Sequence, residues 1–273
     1  MKKVAIQGYR GSFHEMAARL FYSGEPVETV ECDTFEELFT SLDGGSADAA
    51  VMAIENTVSG GLLPNFELLR RYPRAIKGEN YLRIEQNLMA LPGQRVEDLR
   101  EVRTHYMAIN QTREFFAAHP HIRLVESEDT AKSARDVSEG RLMGVGAVAS
   151  SLAADLYGLE IIAPGIETYK QNFTRFLLFD DALAPDPGST DKASLCFTLD
   201  HKPGALAHIL TILSFYEMNL TRIQSLPIPG RQWQYFFYAD IKFDSYTRYQ
   251  QALSAVRPLI DSLRILGEYK SAL

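Results

Sequence analysis

Short apolar runs alternate with longer segments of helical periodicity over the first 180 residues, and this alternation constrains the fold most. Strands are predicted at Val4 to Gln7 and at Val27 to Cys32, and a third, buried strand is predicted at ADAAVMAIE. Helices are predicted between them, one from about Phe13 to Phe21 and one that Thr34 opens with Glu37 in a capping box. Such alternation predicts a mostly parallel sheet with helices on both faces.

Two longer stretches, near residues 76–91 and 161–179, can each pass from one lobe to another. The first includes a predicted strand near Leu82 to Leu91, and a helix is predicted near Gln111 to Ala118. We therefore expect two α/β lobes with a cleft between them, residues 1–78 with 158–181 and residues 79–157.

A linker is predicted at residues 182–191, where ALAPDPGSTD carries two prolines, a glycine and no hydrophobic period. Beyond it, residues 192–273 give the order strand, helix, strand, strand, helix, strand. This β-α-β-β-α-β order predicts a small ferredoxin-like domain after the larger α/β domain.

Net charge and composition indicate which binding partners and which kinds of site are not expected. The net charge of −7 argues against a nucleic acid or an anionic membrane, since either favours a basic surface. Cys32 and Cys196 form no C-x-x-C pattern and the six histidines show no ligand spacing, so neither a disulfide framework nor a metal site is expected. A hydrophobic run of signal-peptide length is interrupted by Gln7, Gly8 and Arg10, and a cytoplasmic location is expected.

Four local patterns have both a functional and a structural interpretation. The segment GVGAVA from Gly144 matches a dinucleotide fingerprint, but too few residues precede it for a full strand. Glycines in QGYRGSFHE leave backbone N–H groups that an anion can approach, although such loops are common. Polar residues in IENTVSGG follow a buried strand, either as a ligand site or as a capping turn. Arg175 in NFTRF either binds a carboxylate or belongs to an amphipathic strand.

Taken together, these segments resemble prephenate dehydratase over nearly the whole chain. QGYRGSFHEMAA is similar to the family's opening block, AIENTVSGG to its Ile-Glu-Asn-Ser block, and AADLYGLEIIAPGIETYKQNFTRFLLF to its closing block. The resemblance implies a two-lobed, periplasmic-binding-protein-like α/β catalytic domain at residues 1–181 and a ferredoxin-like ACT regulatory domain at residues 192–273.

The resemblance also implies the reaction, in which prephenate loses its ring carboxylate as CO2 and its 4-hydroxyl as water to give phenylpyruvate for L-phenylalanine biosynthesis. No metal or organic cofactor is implied. Thr174 would donate to the departing hydroxyl, and Arg175 would stabilise a substrate carboxylate. The implied substrate-binding residues are Ser12, Asn56, Thr57, Thr104, Gln111 and Phe176.

Several positions depart from the family pattern, among them His14 and Asp129 for serines and Asn87 for a histidine. These departures are compatible with arogenate as the substrate in place of prephenate. The side chain of arogenate carries an amino group in place of the keto oxygen. Two lobes around a cleft also describe a non-catalytic amino-acid sensor, because fold alone does not decide function.

The C-terminal residues resemble an ACT domain, whose ligand loop is KPGAL at residues 202–206. Family enzymes bind phenylalanine between paired ACT domains, so a homodimer or homotetramer is expected. The implied effector residues are Gly204, Ala205, Leu206, Gln224 and Ser225. Gln224 and Leu226 replace the glutamate and arginine of the family's second motif, which leaves the strength of inhibition open.

Overall fold

The computed structural model describes residues 1–184 and 186–273, so Pro185 of the predicted linker lies outside the described residues. The strands are β1 (Lys2–Gln7), β2 (Val27–Cys32), β3 (Ala49–Asn56), β4 (Gly60–Gly61), β5 (Ile76–Arg83), β6 (Asn87–Ala90), β7 (Glu101–Thr104), β8 (Arg123–Glu126), β9 (Val145–Ala149), β10 (Glu160–Ala163), β11 (Phe173–Phe179), β12 (Lys192–Thr198), β13 (Asn219–Pro227), β14 (Tyr235–Lys242) and β15 (Ser262–Tyr269). The α-helices are α1 (Phe13–Phe21), α2 (Phe35–Asp43), α3 (Leu63–Arg71), α4 (Tyr106–Gln111), α5 (Arg113–Ala117), α6 (Thr130–Glu139), α7 (Ser151–Tyr157), α8 (Ala205–Phe215) and α9 (Tyr246–Val256). None of these helices is both long and apolar enough to cross a bilayer.

Backbone contacts divide the chain into two compact units that differ from the motif-based division. The first unit is residues 1–62 with 80–176, and the second is residues 63–79 with 177–273. The fold is mixed α/β, as the alternation of strands and helices predicts.

The first sheet of the first unit has β1 at its centre, paired in parallel with β2 and β3. Strand β3 is fully apolar from Ala49 to Ile54 and almost inaccessible to solvent, which is typical of a strand covered on both faces. Its last residue, Asn56, lies beside the start of β11, where the Thr57 N–H donates to the Phe173 carbonyl at 2.9 Å. The carboxyl end of β3 and the start of β11, about 117 residues apart in sequence, are thereby brought together.

The second sheet of this unit has the order β10-β6-β9-β7-β8. Alternate residues of its strands enter different cores, with Leu88 and Val148 on one face and Met89 and Ala147 on the other. Both faces are therefore covered. Gly144 precedes β9, so the segment GVGAVA is the buried strand itself and does not form a dinucleotide-binding turn.

Two sequence-based elements differ from the structure. The strand predicted near Leu82 to Leu91 is interrupted between β5 and β6, where the Gln86 backbone N–H donates to the Glu167 carboxylate at 2.9 Å. The helix predicted near Gln111 to Ala118 begins earlier, at Tyr106, and is broken at Thr112. The Thr112 hydroxyl donates to the Ala108 carbonyl at 2.7 Å within this turn.

The second unit contains the predicted β-α-β-β-α-β order in β12, α8, β13, β14, α9 and β15. Its strands lie in the order β13-β14-β12-β15 and pair antiparallel. One face carries the apolar core, with the Phe243 and Tyr249 rings stacked at 4.4 Å between centroids. Segment 63–79 packs in the same unit, where the Phe66 ring lies 5.3 Å from that of Tyr238.

A buried ion pair joins two parts of the second unit that are distant in sequence. Lys192 Nζ lies 2.8 Å from both carboxylate oxygens of Glu79, and both side chains are almost inaccessible to solvent. A buried charge stays favourable only while its partner is present, because the interior cannot replace lost hydration.

Lys192→Met leaves the Glu79 carboxylate without this cation, so we expect the free energy of unfolding to fall by about 3–5 kcal/mol. Glu79→Leu combined with Lys192→Met should recover most of that loss. The matched control is Lys202→Met, which breaks the exposed pair with Asp200 and should change stability by less than about 1 kcal/mol. Urea unfolding measures all three. A single variant as stable as the control would contradict the prediction.

Candidate active site

Asn56 at the end of β3 organises the polar side chains at this edge of the sheet. Its Oδ1 accepts hydrogen bonds from the backbone N–H groups of Val58 and Ser59, at 2.9 and 2.8 Å. Its Nδ2 donates to Thr174 Oγ1 at 3.0 Å and to Asn172 Oδ1 at 2.7 Å. The buried end of β3 is thereby connected to the first residues of β11.

The connection continues through two glutamines in the same unit. Asn172 Nδ2 donates to Gln111 Oε1 at 3.0 Å, and Gln86 Nε2 donates to the same oxygen at 3.0 Å. All of these amide side chains are buried. We call this set, Asn56, Asn172, Gln111 and Gln86, the amide chain.

The direction of every hydrogen bond in the amide chain follows from its first link. A backbone N–H can only donate, so the atom of Asn56 facing Val58 and Ser59 must be the oxygen. Each later amide is then oriented by the one before it. Asn172 therefore presents its oxygen to Asn56 and its nitrogen to Gln111.

This direction determines what the Thr174 hydroxyl can do. Its oxygen accepts from Asn56, and none of the described residues accepts the hydroxyl proton. Accepting a hydrogen bond makes a hydroxyl a better donor, because the bonds polarise one another. The Thr174 hydroxyl can therefore donate to a further acceptor, although the residue is only 8 % exposed.

The neighbouring Arg175 supplies positive charge. It is 2 % exposed, and its Nη1 lies 3.2 Å from Oε1 of Glu55, the residue before Asn56. The carboxylate offsets the desolvation of the guanidinium and holds it in place. Glu55 and Asn172 were missing from the expected site residues, although both lie inside the motifs that define it.

Thr57 fixes the start of β11. Its hydroxyl donates to the Gln171 carbonyl at 2.8 Å and accepts from the Phe173 N–H at 2.9 Å. These bonds position the residues before Thr174.

Three other expected site residues lie outside the amide chain. The Thr104 hydroxyl is fully buried and donates to the Val148 carbonyl at 2.7 Å. Ser12 is the N-cap of α1, where its hydroxyl accepts from the Glu15 N–H. Phe176 is buried with its ring centroid 5.0 Å from that of His14.

The glycine loop before α1 is occupied by the protein's own carboxylates. The Gly11 N–H donates to Glu15 Oε2 at 2.6 Å, and the Arg10 N–H donates to Glu31 Oε1 at 2.7 Å. Gly11 has φ +87°, and a Cβ there would lie 2.9 Å from the Ala153 Cα. Only glycine permits this close approach to α7. The expectation that these N–H groups receive an external anion is therefore not supported.

A cavity of about 280 Å³ lies next to this loop. Its lining residues are Gln7, Gly8, Tyr9, Asp33, Glu128 and Asp129. Burial raises the pKa of the Asp129 carboxyl, whose Oδ1 caps α6 by accepting from the Lys132 N–H at 2.8 Å. Within residues 1–184 and 186–273, no cluster of three or more His, Cys, Asp or Glu side chains could hold a metal ion.

Two of the departures from the family pattern have structural roles. Asn87 Oδ1 accepts from the Gly165 N–H at 3.0 Å, which ties β6 to the segment after β10. The His14 ring lies between those of Phe35 and Phe176, with centroids at 5.5 and 5.0 Å. Its Nε2 is buried and has no hydrogen-bond partner among the described residues, and burial lowers the pKa of His14 to about 3.

Comparison with known proteins shows the family to which the chain belongs. A family model described as prephenate dehydratase matches residues 4–182. Arogenate dehydratase 2 of Petunia hybrida is 33 % identical over 98 % of this chain and 72 % of its own. The chain belongs to the prephenate dehydratase family and is a lyase.

Two solved structures cover 99 % of this chain, each with a TM-score of 0.88. One, 31 % identical and matched over 98 % of its length, is described as GqqA, a novel type of quorum quenching acylases. The other, 28 % identical and matched over 90 %, is prephenate dehydratase from Arthrobacter aurescens in complex with L-Phe.

His14 generates a prediction on acid stability. Its imidazole is neutral in the folded protein and protonates near pH 6.5 when unfolded. The stability of the neutral form is therefore present above about pH 6.5 and is lost as pH falls towards about 3. We expect His14→Leu to show a smaller loss of stability between pH 7 and pH 4.5 than wild type.

Urea unfolding at the two pH values measures this difference. His208→Leu removes an exposed histidine and should leave the wild-type pH dependence unchanged. Equal pH dependence in wild type and His14→Leu would refute the role of His14.

Proposed function

We propose that this enzyme converts prephenate to phenylpyruvate, CO2 and water in the biosynthesis of L-phenylalanine. The observation that carries the proposal is the direction of the amide chain, which leaves the Thr174 proton available for a leaving group. Family membership supplies the reaction class, and the site supplies the donor that the reaction requires.

In the proposed mechanism the bond from the ring to its carboxylate breaks, and its electron pair moves into the ring as CO2 departs. The C–O bond at the 4-position breaks in the same process, and the leaving oxygen takes the Thr174 proton to become water. A threonine hydroxyl is too weak an acid to ionise beforehand, so the proton transfer is concerted with C–O cleavage. Solvent then returns a proton to Thr174.

The neighbouring groups support this transfer. Asn56 Nδ2 donates to Thr174 Oγ1 and so stabilises the negative charge that develops there. Arg175 provides the positive charge for a substrate carboxylate, with its position held by Glu55. Aromatisation drives the reaction, so orientation and charge stabilisation are the protein's main contributions.

Thr174→Val keeps the side-chain volume and removes the donor, so we expect kcat to fall about 10²- to 10³-fold with little change in KM. Phenylpyruvate absorbance after addition of prephenate measures the rate. Thr211→Val, on the exposed face of α8, removes a hydroxyl that donates to the Ala207 carbonyl and should leave kcat unchanged. A Thr174→Val enzyme with more than half of wild-type kcat would exclude Thr174 as the donor.

The second candidate substrate is arogenate. The petunia relative carries that activity in its name. We favour prephenate because the family model that matches residues 4–182 is described as prephenate dehydratase. The ratio of kcat/KM for the two substrates decides between them, and an arogenate ratio above one reverses the assignment.

An acylase activity, suggested by the name of one structural relative, receives less support. A nucleophilic threonine needs a neighbouring base to accept its proton. In the described part of the chain the partner of Thr174 Oγ1 is an amide N–H, which cannot do so.

We propose further that residues 192–273 form an ACT domain that binds phenylalanine as an allosteric inhibitor. Gly204 has φ +81° and leads directly into α8, so its backbone can approach an amino acid closely. Strand β13, which carries Gln224 and Ser225, lies at the edge of its sheet. The relative from Arthrobacter aurescens was solved with L-Phe.

Phenylalanine should release or absorb heat on binding the full-length protein, and Gly204→Val should abolish that signal by blocking the approach. The control is Gly230→Val, since Gly230 also has positive φ but lies in open space between β13 and β14. Both variants impose similar backbone strain. Isothermal titration calorimetry with no heat for wild type at millimolar ligand would leave assembly as the domain's role.

The same edge strand supports a homodimer or homotetramer, since an unpaired edge tends to find a partner. We propose a cytoplasmic location for this assembly, with prephenate and L-phenylalanine as its small-molecule partners.

A further inference from the structure

Gln86 is a buried polar residue that the motifs do not single out. It lies in the interruption between β5 and β6 and is 3 % exposed. Its backbone N–H donates to Glu167 Oε2 at 2.9 Å, and its backbone carbonyl accepts from the Ile166 N–H at 2.7 Å. Both backbone groups are thus bound to residues 166 and 167, which fixes the position of the Gln86 Cα and so the direction from which its side chain extends.

The Gln86 side chain acts on Gln111. Its Nε2 and the Nδ2 of Asn172 both donate to Gln111 Oε1, each at 3.0 Å. With two donors on its oxygen, the Gln111 amide cannot rotate by 180° without placing its own N–H groups against them. Gln111 Nε2 makes none of the hydrogen bonds described for this chain, and it is not sealed from solvent.

One atom of the Gln86 side chain is unfavourable for stability. Its Oε1 is buried and has no partner among the described residues. An unsatisfied buried acceptor is unfavourable, and a leucine of similar volume would avoid it. The favourable contribution of Gln86 is therefore the hydrogen bond that its Nε2 makes.

We propose that Gln86 is a positioning residue, which locks the Gln111 amide so that its N–H groups point to the substrate and bind one of its carboxylates. This inference rests on the proposed function, because it requires an anionic substrate at the site. Asn172, the residue before β11, secures the amide on one side, and Gln86 secures it from the β5–β6 junction. Without Gln86, the Gln111 side chain can turn its oxygen towards the substrate.

The first test is Gln86→Leu, assayed with prephenate and with arogenate. We expect KM for the preferred substrate to rise about 10- to 100-fold, the range for losing a hydrogen bond to a charged group, while kcat falls less than threefold. Thermal stability should be unchanged or higher, because the unsatisfied oxygen is removed.

The matched control is Gln94→Leu. Gln94 is also buried, with Nε2 donating to the Leu91 carbonyl and Oε1 accepting from the Gly144 N–H, but it lies outside the amide chain. This variant should lose stability and keep the wild-type KM. The two variants therefore separate loss of packing from loss of positioning.

Gln86→Glu supplies a second readout, a pH-dependent KM, which is measured together with the stability of the variant at each pH because the Glu167 carboxylate lies beside residue 86. The carboxyl group introduced at residue 86 can donate to Gln111 Oε1 only while protonated, and once ionised it repels that oxygen. KM of this variant should therefore increase with pH across a range in which the wild-type KM is constant. The Gln86→Glu variant also tests the positioning role if Gln86→Leu does not fold.

The outcomes separate the two proposals. If wild type is active and both Gln86 variants keep its KM at every pH, the positioning role is overturned and the proposed function stands. If wild type converts neither substrate, the proposed function fails, and the positioning role fails with it.

Discussion

Two backbone N–H groups, those of Val58 and Ser59, determine the polarity of the site through the Asn56 side chain. The oxygen and the NH2 group of a side-chain amide are nearly equal in size, so packing alone does not decide which of them faces a given neighbour. The turn after β3 removes that choice, and three further amides then follow in one possible orientation. The donor property of Thr174 is thus a consequence of a turn more than 100 residues away in sequence.

Buried carboxylates shape the surrounding backbone in a similar way. Glu15 accepts from the Gly11 N–H at the start of α1, and Glu167 accepts from the Gln86 N–H between β5 and β6. Each satisfies a backbone donor that regular secondary structure leaves unpaired. The glycine loop therefore uses the N–H groups of Arg10 and Gly11 internally.

Much of the fold follows from local pattern. Helix α1 begins and ends where the periodicity predicts, and β2 matches its predicted bounds, because each has one dominant local signal. The strand predicted near Leu82 to Leu91 was wrong in its continuity, since Gln86 bonds to a residue about 80 positions away. The hydrophobic pattern of a short segment cannot predict a contact with a residue so far away in sequence.

The sequence alone determined the family, because the motifs that identify it are short and local. The same motifs predict Asn56, Gln111, Thr174 and Arg175 as site residues. The sequence also determined the order of strands and helices, which depends on hydrophobic period. The tertiary structure decided which way each amide points, that Glu55 lies beside Arg175, and that Gln86 donates to Gln111. These properties depend on hydrogen bonds between strand ends that meet only when the sheet forms, so no segment carries them by itself.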